Sequence, residues 1–113
     1  MSYKLVYSPL ALEDLDQIWS EVWMASCDFD TADHYIYGLR ESLRKKAGYP
    51  KTGIPLTYQG AFTGVYMVPF KAYLAFYRIH GNTVEVGRIL YAKSDYMKTL
   101  FGRSEFIPED EDG

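Results

Sequence analysis

The final third of the sequence carries the side chains best suited to chemistry. They are three cations, one histidine and one tyrosine: Arg78, His80, Arg88, Lys93 and Tyr96. Arginine and lysine can hold the negative charge of a phosphate, while histidine and tyrosine can exchange a proton. The pattern therefore allows anion binding or acid–base chemistry, provided that the fold brings these residues together.

Other polar clusters lack the spacing of a metal or nucleophile site. Asp28, Asp30 and Asp33 are not followed by the glycine and glutamate of a calcium loop. His34 has no second histidine or cysteine at ligand spacing, and Cys27 has no histidine nearby. We therefore predict no metal and no cofactor.

The first half of the chain predicts one strand and two helices. Residues 3–7 favour a strand, and Ser8-Pro9 is a typical helix start because serine caps and proline fits the first turn. Helix one then runs to about residue 25, and helix two spans about 31–47. Helix one has an apolar stripe at three- and four-residue spacing, formed by Leu12, Leu15, Ile18, Trp19 and Val22. The short link between the helices predicts an antiparallel hairpin.

The second half predicts three strands and a short helix. Residues 49–61, rich in proline and glycine, read as a loop. Strands follow at about 63–68, 72–80 and 83–91, with a Gly81-Asn82 turn between the last two. Pro69 predicts that the first of them lies near a sheet edge, and Gly87 predicts a bulge or a close backbone approach in the last. A last helix ends at about residue 101.

The predicted fold class is therefore α+β, in the order β-α-α-β-β-β-α. The helical hairpin packs on a small, mainly antiparallel sheet, and the two-helix connection leaves room for a parallel neighbour of the first strand.

Length and charge bound the class of protein. A chain of 113 residues fits one domain, which we place at 1–107. Net charge is −6 over residues 1–39, +7 over 40–107 and −4 over 108–113, so a basic middle precedes an acidic tail that we expect to be disordered. A single cysteine and the lack of a long apolar run favour a cytoplasmic protein with no membrane contact.

The element order and the C-terminal residues resemble the ParE/RelE superfamily of toxins from type II toxin–antitoxin systems, and ParE more than RelE. The run 73–79 is similar to the family's tyrosine-rich strand that ends in Tyr-Arg, and 85–95 is similar to its Arg-Ile-Leu segment followed by Asp. The start, Tyr-Ser-Pro-Leu-Ala-Leu-Glu-Asp-Leu, is similar to its strand-to-helix junction. The resemblance covers nearly the whole chain in layout and is strongest from Gly64 onward.

The resemblance implies two alternative activities. ParE-like members bind DNA gyrase and block it without hydrolysis. For this activity the resemblance implies a basic and apolar target-binding set: Arg88, Lys93, Tyr96, Met97, Lys98 and Phe101. RelE-like members cut messenger RNA on the ribosome, for which the catalytic set would be Arg78, Arg88, Lys93 and Tyr96. A third alternative is a degenerate toxin kept as a binding module.

The gyrase inhibitor is the preferred prediction. The segment Ala92-Lys93-Ser94 stands where many relatives have two arginines, and a chain of net charge −3 is poorly suited to docking on ribosomal RNA. Under this interpretation the chain is not an enzyme. The resemblance implies a cognate antitoxin as partner and gyrase as target, or the ribosome with messenger RNA under the alternative. Plasmid stabilization is the implied context. Arg78 and Arg88 could instead be structural, each pairing with Glu85 or Asp95.

Overall fold

A computed structural model of the chain describes residues 3–102, so the predicted acidic tail at 108–113 lies outside the described residues. The helices are α1 (Pro9–Ser26), α2 (Phe29–Ala47) and α3 (Tyr96–Phe101). The strands are β1 (Lys4–Tyr7), β2 (Ile54–Tyr58), β3 (Ala61–Phe70), β4 (Tyr73–His80) and β5 (Thr83–Tyr91). A short 3₁₀ turn, Pro50–Thr52, precedes β2. The predicted α+β class and helical hairpin are confirmed.

The strands form one mixed sheet in the order β1-β5-β4-β3-β2. β1 is parallel to β5, as the two-helix connection predicted, and the other pairs are antiparallel. β2 is a correction, because residues 49–61 were predicted to be a loop. Pro55 is tolerated because β2 is an outer strand. β3 is the next strand inward, and β2 pairs with it only as far as Met67, so Pro69 lies past the covered part and the prediction that this strand lies near an edge is confirmed.

The hairpin is fixed by a cap at its start and by aromatic rings at its tip. Ser8 Oγ accepts a hydrogen bond from the Ala11 N–H at 3.0 Å, which confirms the predicted helix start. At the far end, Phe29 stacks on the rings of Trp19 and Trp23, with centroids 5.7 and 5.6 Å away. These rings join the end of α1 to the start of α2.

The sheet packs on two separate cores, one on each face. Leu15 and Ile18 of α1 and Leu39 and Leu43 of α2 bury one face, whereas Leu12 from the predicted stripe is 46% exposed. The other face has a smaller core of Leu56, Val65, Phe76 and Met97. Because α3 contains only six residues, it covers only part of this second face. A groove remains beside it.

Among residues 3–102, no helix is both long enough and apolar enough to cross a membrane.

Candidate functional site

The groove between α3 and the exposed part of β4 and β5 is the candidate site. It encloses about 360 Å³. Val65 and Phe76 contribute apolar surface to it, and Leu100 and Phe101 line it from α3. Its charged lining residues are Arg78, Glu85 and Arg88. The groove therefore combines an apolar surface with charges of both signs.

A bulge in β5 determines where Arg88 lies. Tyr77 pairs with Val86 and Phe76 pairs with Arg88, which leaves Gly87 as the extra residue and confirms the predicted bulge. One additional residue shifts the alternation of faces along the strand. Val86 and Ile89 consequently pack in the hairpin core, while Arg88 lines the groove opposite Phe76.

Arg88 is held by Asp14 of α1. Its Nε and Nη2 donate to the two carboxylate oxygens at 2.8 and 3.1 Å, and Asp14 Oδ2 also accepts the Ile89 N–H at 2.9 Å. The side chains of Arg88 and Asp14 are 25% and 15% exposed. The hydrogen bond from Arg88 to Asp14 raises the pKa of the arginine. A structural ion pair was one prediction for Arg88, but the predicted partners, Glu85 and Asp95, are wrong.

Arg78 lies in the groove without such a partner. It is exposed and pairs across the strands with Glu85, yet within residues 3–102 no carboxylate lies within 4.0 Å of it. Glu85 instead lies 3.5 Å from His80 Nε2. The ion pair predicted for Arg78 is thus not formed in this part of the chain, and the guanidinium faces solvent.

The predicted target-binding residues of α3 divide into exposed and packed ones. Lys93 and Lys98 are exposed, Tyr96 is half-buried against the Phe76 ring at 5.3 Å, and Met97 is only 4% exposed. Phe101 is half-buried and lines the groove. Arg78 and Arg88 line it as well. Lys93, Tyr96, Met97 and Lys98 are not among the groove-lining residues. The structure therefore brings together only part of either predicted set, and the roles of these residues remain predictions.

Asp14 is the site residue that the sequence did not reveal. It lies outside the predicted apolar stripe of helix one, and its partner lies 74 residues away in the chain. The only local signal is its place next to Leu15 of the apolar stripe, which favours a position at the edge of the packed face.

A metal site is not formed by the residues at 3–102, where no three histidine, cysteine or acidic side chains converge. The described residues that line the groove offer arginine, carboxylate, hydroxyl and apolar side chains.

The sequence matches the family described as "ParE toxin of type II toxin-antitoxin system, parDE" over residues 5–96. The chain belongs to the ParE toxin family. The match ends at Tyr96, so most of α3, including Met97, Lys98 and Phe101, lies beyond it. No protein of curated function matches this ParE toxin significantly.

Two solved toxin–antitoxin structures have a similar fold. The first is the chromosomal ParDE TA system from P. aeruginosa, with a TM-score of 0.67 and 17% identity over 81% of this chain and 98% of that chain. The second is the toxin–antitoxin complex RelBE2 from Mycobacterium tuberculosis, with a TM-score of 0.52 and 20% identity over 80% of this chain and 99% of that chain. Because both ParE and RelE assemblies are matched, the fold does not distinguish the two activities.

Proposed function

We propose that this ParE toxin inhibits DNA gyrase by binding to it, without hydrolysing any substrate, and that a cognate antitoxin neutralises it. Membership of the ParE family supports the first part of the proposal. The similarity to two toxin–antitoxin assemblies supports the second.

The engagement of Arg88 by Asp14 is the observation that favours binding over RNA cleavage. A ribonuclease needs several cations and a proton-transfer group directed at one phosphate. Here Arg88 already donates two hydrogen bonds to a carboxylate, and neither Lys93 nor Tyr96 lines the groove. His80 is not among the groove-lining residues either and lies beside Glu85. Among residues 3–102, Arg78 alone offers an exposed cation to the groove.

The target-binding surface that we propose is the exposed side of α3 and the turn before it. Lys93 and Lys98 supply positive charge, while Tyr96 and Phe101 supply partly exposed aromatic area, a residue class enriched at interfaces. Met97 and Arg88 support this surface from its inner side. The buried Met97 anchors α3, and the Asp14-bound Arg88 braces the neighbouring strand.

The antitoxin surface that we propose includes exposed apolar residues near and beyond the groove. Leu10 and Leu12 on α1 are 51% and 46% exposed, and Leu10 lines the groove. Tyr37 and Tyr49 are also exposed. An antitoxin segment that folds on contact could cover these side chains as a helix or a strand.

Supercoiling of relaxed plasmid by purified gyrase tests the proposal. The toxin should reduce supercoiling, and Lys93→Ala/Lys98→Ala should weaken this inhibition at least tenfold. The matched control is Lys45→Ala/Lys51→Ala, which removes the same charge from exposed positions off α3. Undiminished supercoiling, together with cleavage of messenger RNA on ribosomes, would replace the gyrase proposal with the ribonuclease alternative. The RelBE2 likeness and the exposed Arg78 are the observations in that alternative's favour.

A further inference from the structure

The junction between β1 and α1 continues the hydrogen bonding of β5 by unusual means. β1 pairs with β5 only from Thr83 to Val86. Beyond that point the Ser8 N–H donates to the Val86 carbonyl at 2.9 Å, and Ser8 Oγ donates to the Gly87 carbonyl at 2.7 Å. Asp14 then accepts the Ile89 N–H at 2.9 Å. Past the end of β1, residues at and just inside the start of α1 thus supply the hydrogen-bond partners of the β5 backbone.

Asp14 does more than this backbone contact requires. A single carboxylate oxygen would satisfy the Ile89 N–H, yet both oxygens also receive hydrogen bonds from Arg88. Two parallel N–H···O bonds from a guanidinium are the geometry by which arginine binds either carboxylate or phosphate. The carboxylate of Asp14 therefore occupies the position on Arg88 that a phosphate group would take.

A second cation lies at the same groove. Arg78 is exposed there and has no carboxylate within 4.0 Å among residues 3–102. Exposed cations are the side chains that contact the phosphates of a single strand. With Asp14 counted, the two arginines are balanced by two carboxylates, Glu85 and Asp14. Without Asp14, the described residues that line the groove carry one net positive charge, from Arg78, Arg88 and Glu85.

We propose that Asp14 is a specificity-determining residue, which excludes single-stranded RNA from a latent phosphate site on Arg88. The carboxylate competes from within the chain, so it is present at a high effective concentration that an external phosphate cannot match. The groove consequently accepts side chains of a protein partner and rejects the RNA backbone. This proposal concerns phosphate binding alone, and it stands whether or not gyrase is the target.

Fluorescence anisotropy with a labelled single-stranded RNA of about 12 nucleotides, titrated at several salt concentrations, tests the proposal. Asp14→Asn keeps an oxygen for the Ile89 N–H but removes the competing charge. It should bind RNA at least fivefold more tightly than the wild type, and the slope of log K against log salt should steepen by about 0.7, the value for one added phosphate contact on a single strand. Asp16→Asn is the matched control, because it changes net charge equally from an exposed site on the same helix. Equal affinities and slopes for the two variants would overturn the proposal.

Two further variants separate this role from a purely structural one. In Asp14→Asn/Arg88→Gln the gain in RNA affinity should vanish, and a gain that persists would refute the assignment to Arg88. In the otherwise unchanged toxin, Arg78→Gln should lower residual RNA binding, whereas Lys45→Gln, which removes an equal charge from an exposed position outside the groove, should leave it unchanged. An equal loss in both single variants would contradict the proposal even if Asp14→Asn failed to fold.

Discussion

Truncation of Met97 should detach α3 from the sheet while the rest of the fold persists. Met97 is 4% exposed and packs with Leu56, Val65 and Phe76. Methionine-to-alanine changes in a packed core cost about 2–5 kcal/mol. A helix of six residues has no stability of its own in water, so its packing and caps hold it.

Besides the half-buried Leu100 and Phe101, which pack at the edge of the same core, α3 is held by a cap and by one ring contact. The Asp95 side chain accepts the Lys98 N–H at 3.3 Å, and such a cap contributes about 1 kcal/mol. The ring contact between Tyr96 and Phe76 contributes about 1 kcal/mol more. Because the loss is comparable with or larger than these contributions, we expect α3 to open locally in Met97→Ala rather than with global unfolding.

Amide hydrogen exchange measures this opening directly. The Thr99 and Gly102 amides, which donate to Asp95 and Lys98, should lose at least about 30-fold in protection, the equivalent of about 2 kcal/mol. Leu15→Ala is the control, since Leu15 is equally buried but belongs to the hairpin core. It should lower global stability without a selective effect on α3. Full protection of the α3 amides in Met97→Ala would refute the anchoring argument, and full gyrase inhibition with α3 open would remove α3 from the proposed target surface.

Three further predictions concern Tyr77 and its surroundings. Tyr77→Phe removes the 2.6 Å hydrogen bond from Oη to the Pro50 carbonyl and should cost about 1–3 kcal/mol in urea unfolding, whereas Tyr91→Phe, at an exposed ring, should cost almost nothing. Burial raises the pKa of Tyr77 from 10 to about 12, so the folded state keeps its proton longer than the unfolded chain. The contribution of this raised pKa to the free energy of unfolding should be complete below pH 10 and lost as pH rises to 12. A Tyr77→Phe protein that loses the same amount of stability over this range would contradict the prediction. Gly53→Ala would place a methyl group against the Tyr77 hydroxyl and should destabilise the fold by about 1–3 kcal/mol. Gly87→Ala is the control, because the added carbon would meet nothing closer than 4.0 Å. Equal melting temperatures for the two alanine variants would show that the Gly53 site relaxes freely.

Local patterns in the sequence predicted most of the fold. The last hairpin was placed at 72–80 and 83–91, and its strands occupy Tyr73–His80 and Thr83–Tyr91. The Ser8 cap and the Gly87 bulge were also predicted correctly. These features depend on a few neighbouring residues, whose preferences act within one turn or one strand.

The strand β2 was missed because its prolines and glycines indicated a loop. The overlooked signal is the Gln59-Gly60 pair, which has positive φ at both residues and makes a tight turn between β2 and β3. Proline argues against a strand in the middle of a sheet, but sequence alone does not say which strand is outermost.

The candidate site was predicted only in part because its contacts join distant segments. Arg78 and Arg88 were identified from their residue types and Phe101 from the family resemblance, yet periodicity assigns a face and not a partner. Glu85 and Asp95 are near Arg88 in sequence, whereas the true partner, Asp14, reaches it through the packing of α1 on β5. That contact depends on where β1 ends, which is a property of the assembled sheet.

The hydrogen bonds from Ser8 and Asp14 to the β5 backbone also limit how this protein can associate through its sheet. Past Val86, the flank of β5 that β1 leaves uncovered is occupied by Ser8 and Asp14, so a foreign strand finds no vacant carbonyl or amide at Gly87 or Ile89. Among residues 3–102, the open sheet edges are therefore the outer sides of β1 and β2, which have four and five residues, and the short end of β3 past Met67 that β2 does not pair with. One of them contains Pro55, which has no amide to donate. Edge-to-edge polymerisation is disfavoured at both margins of the molecule.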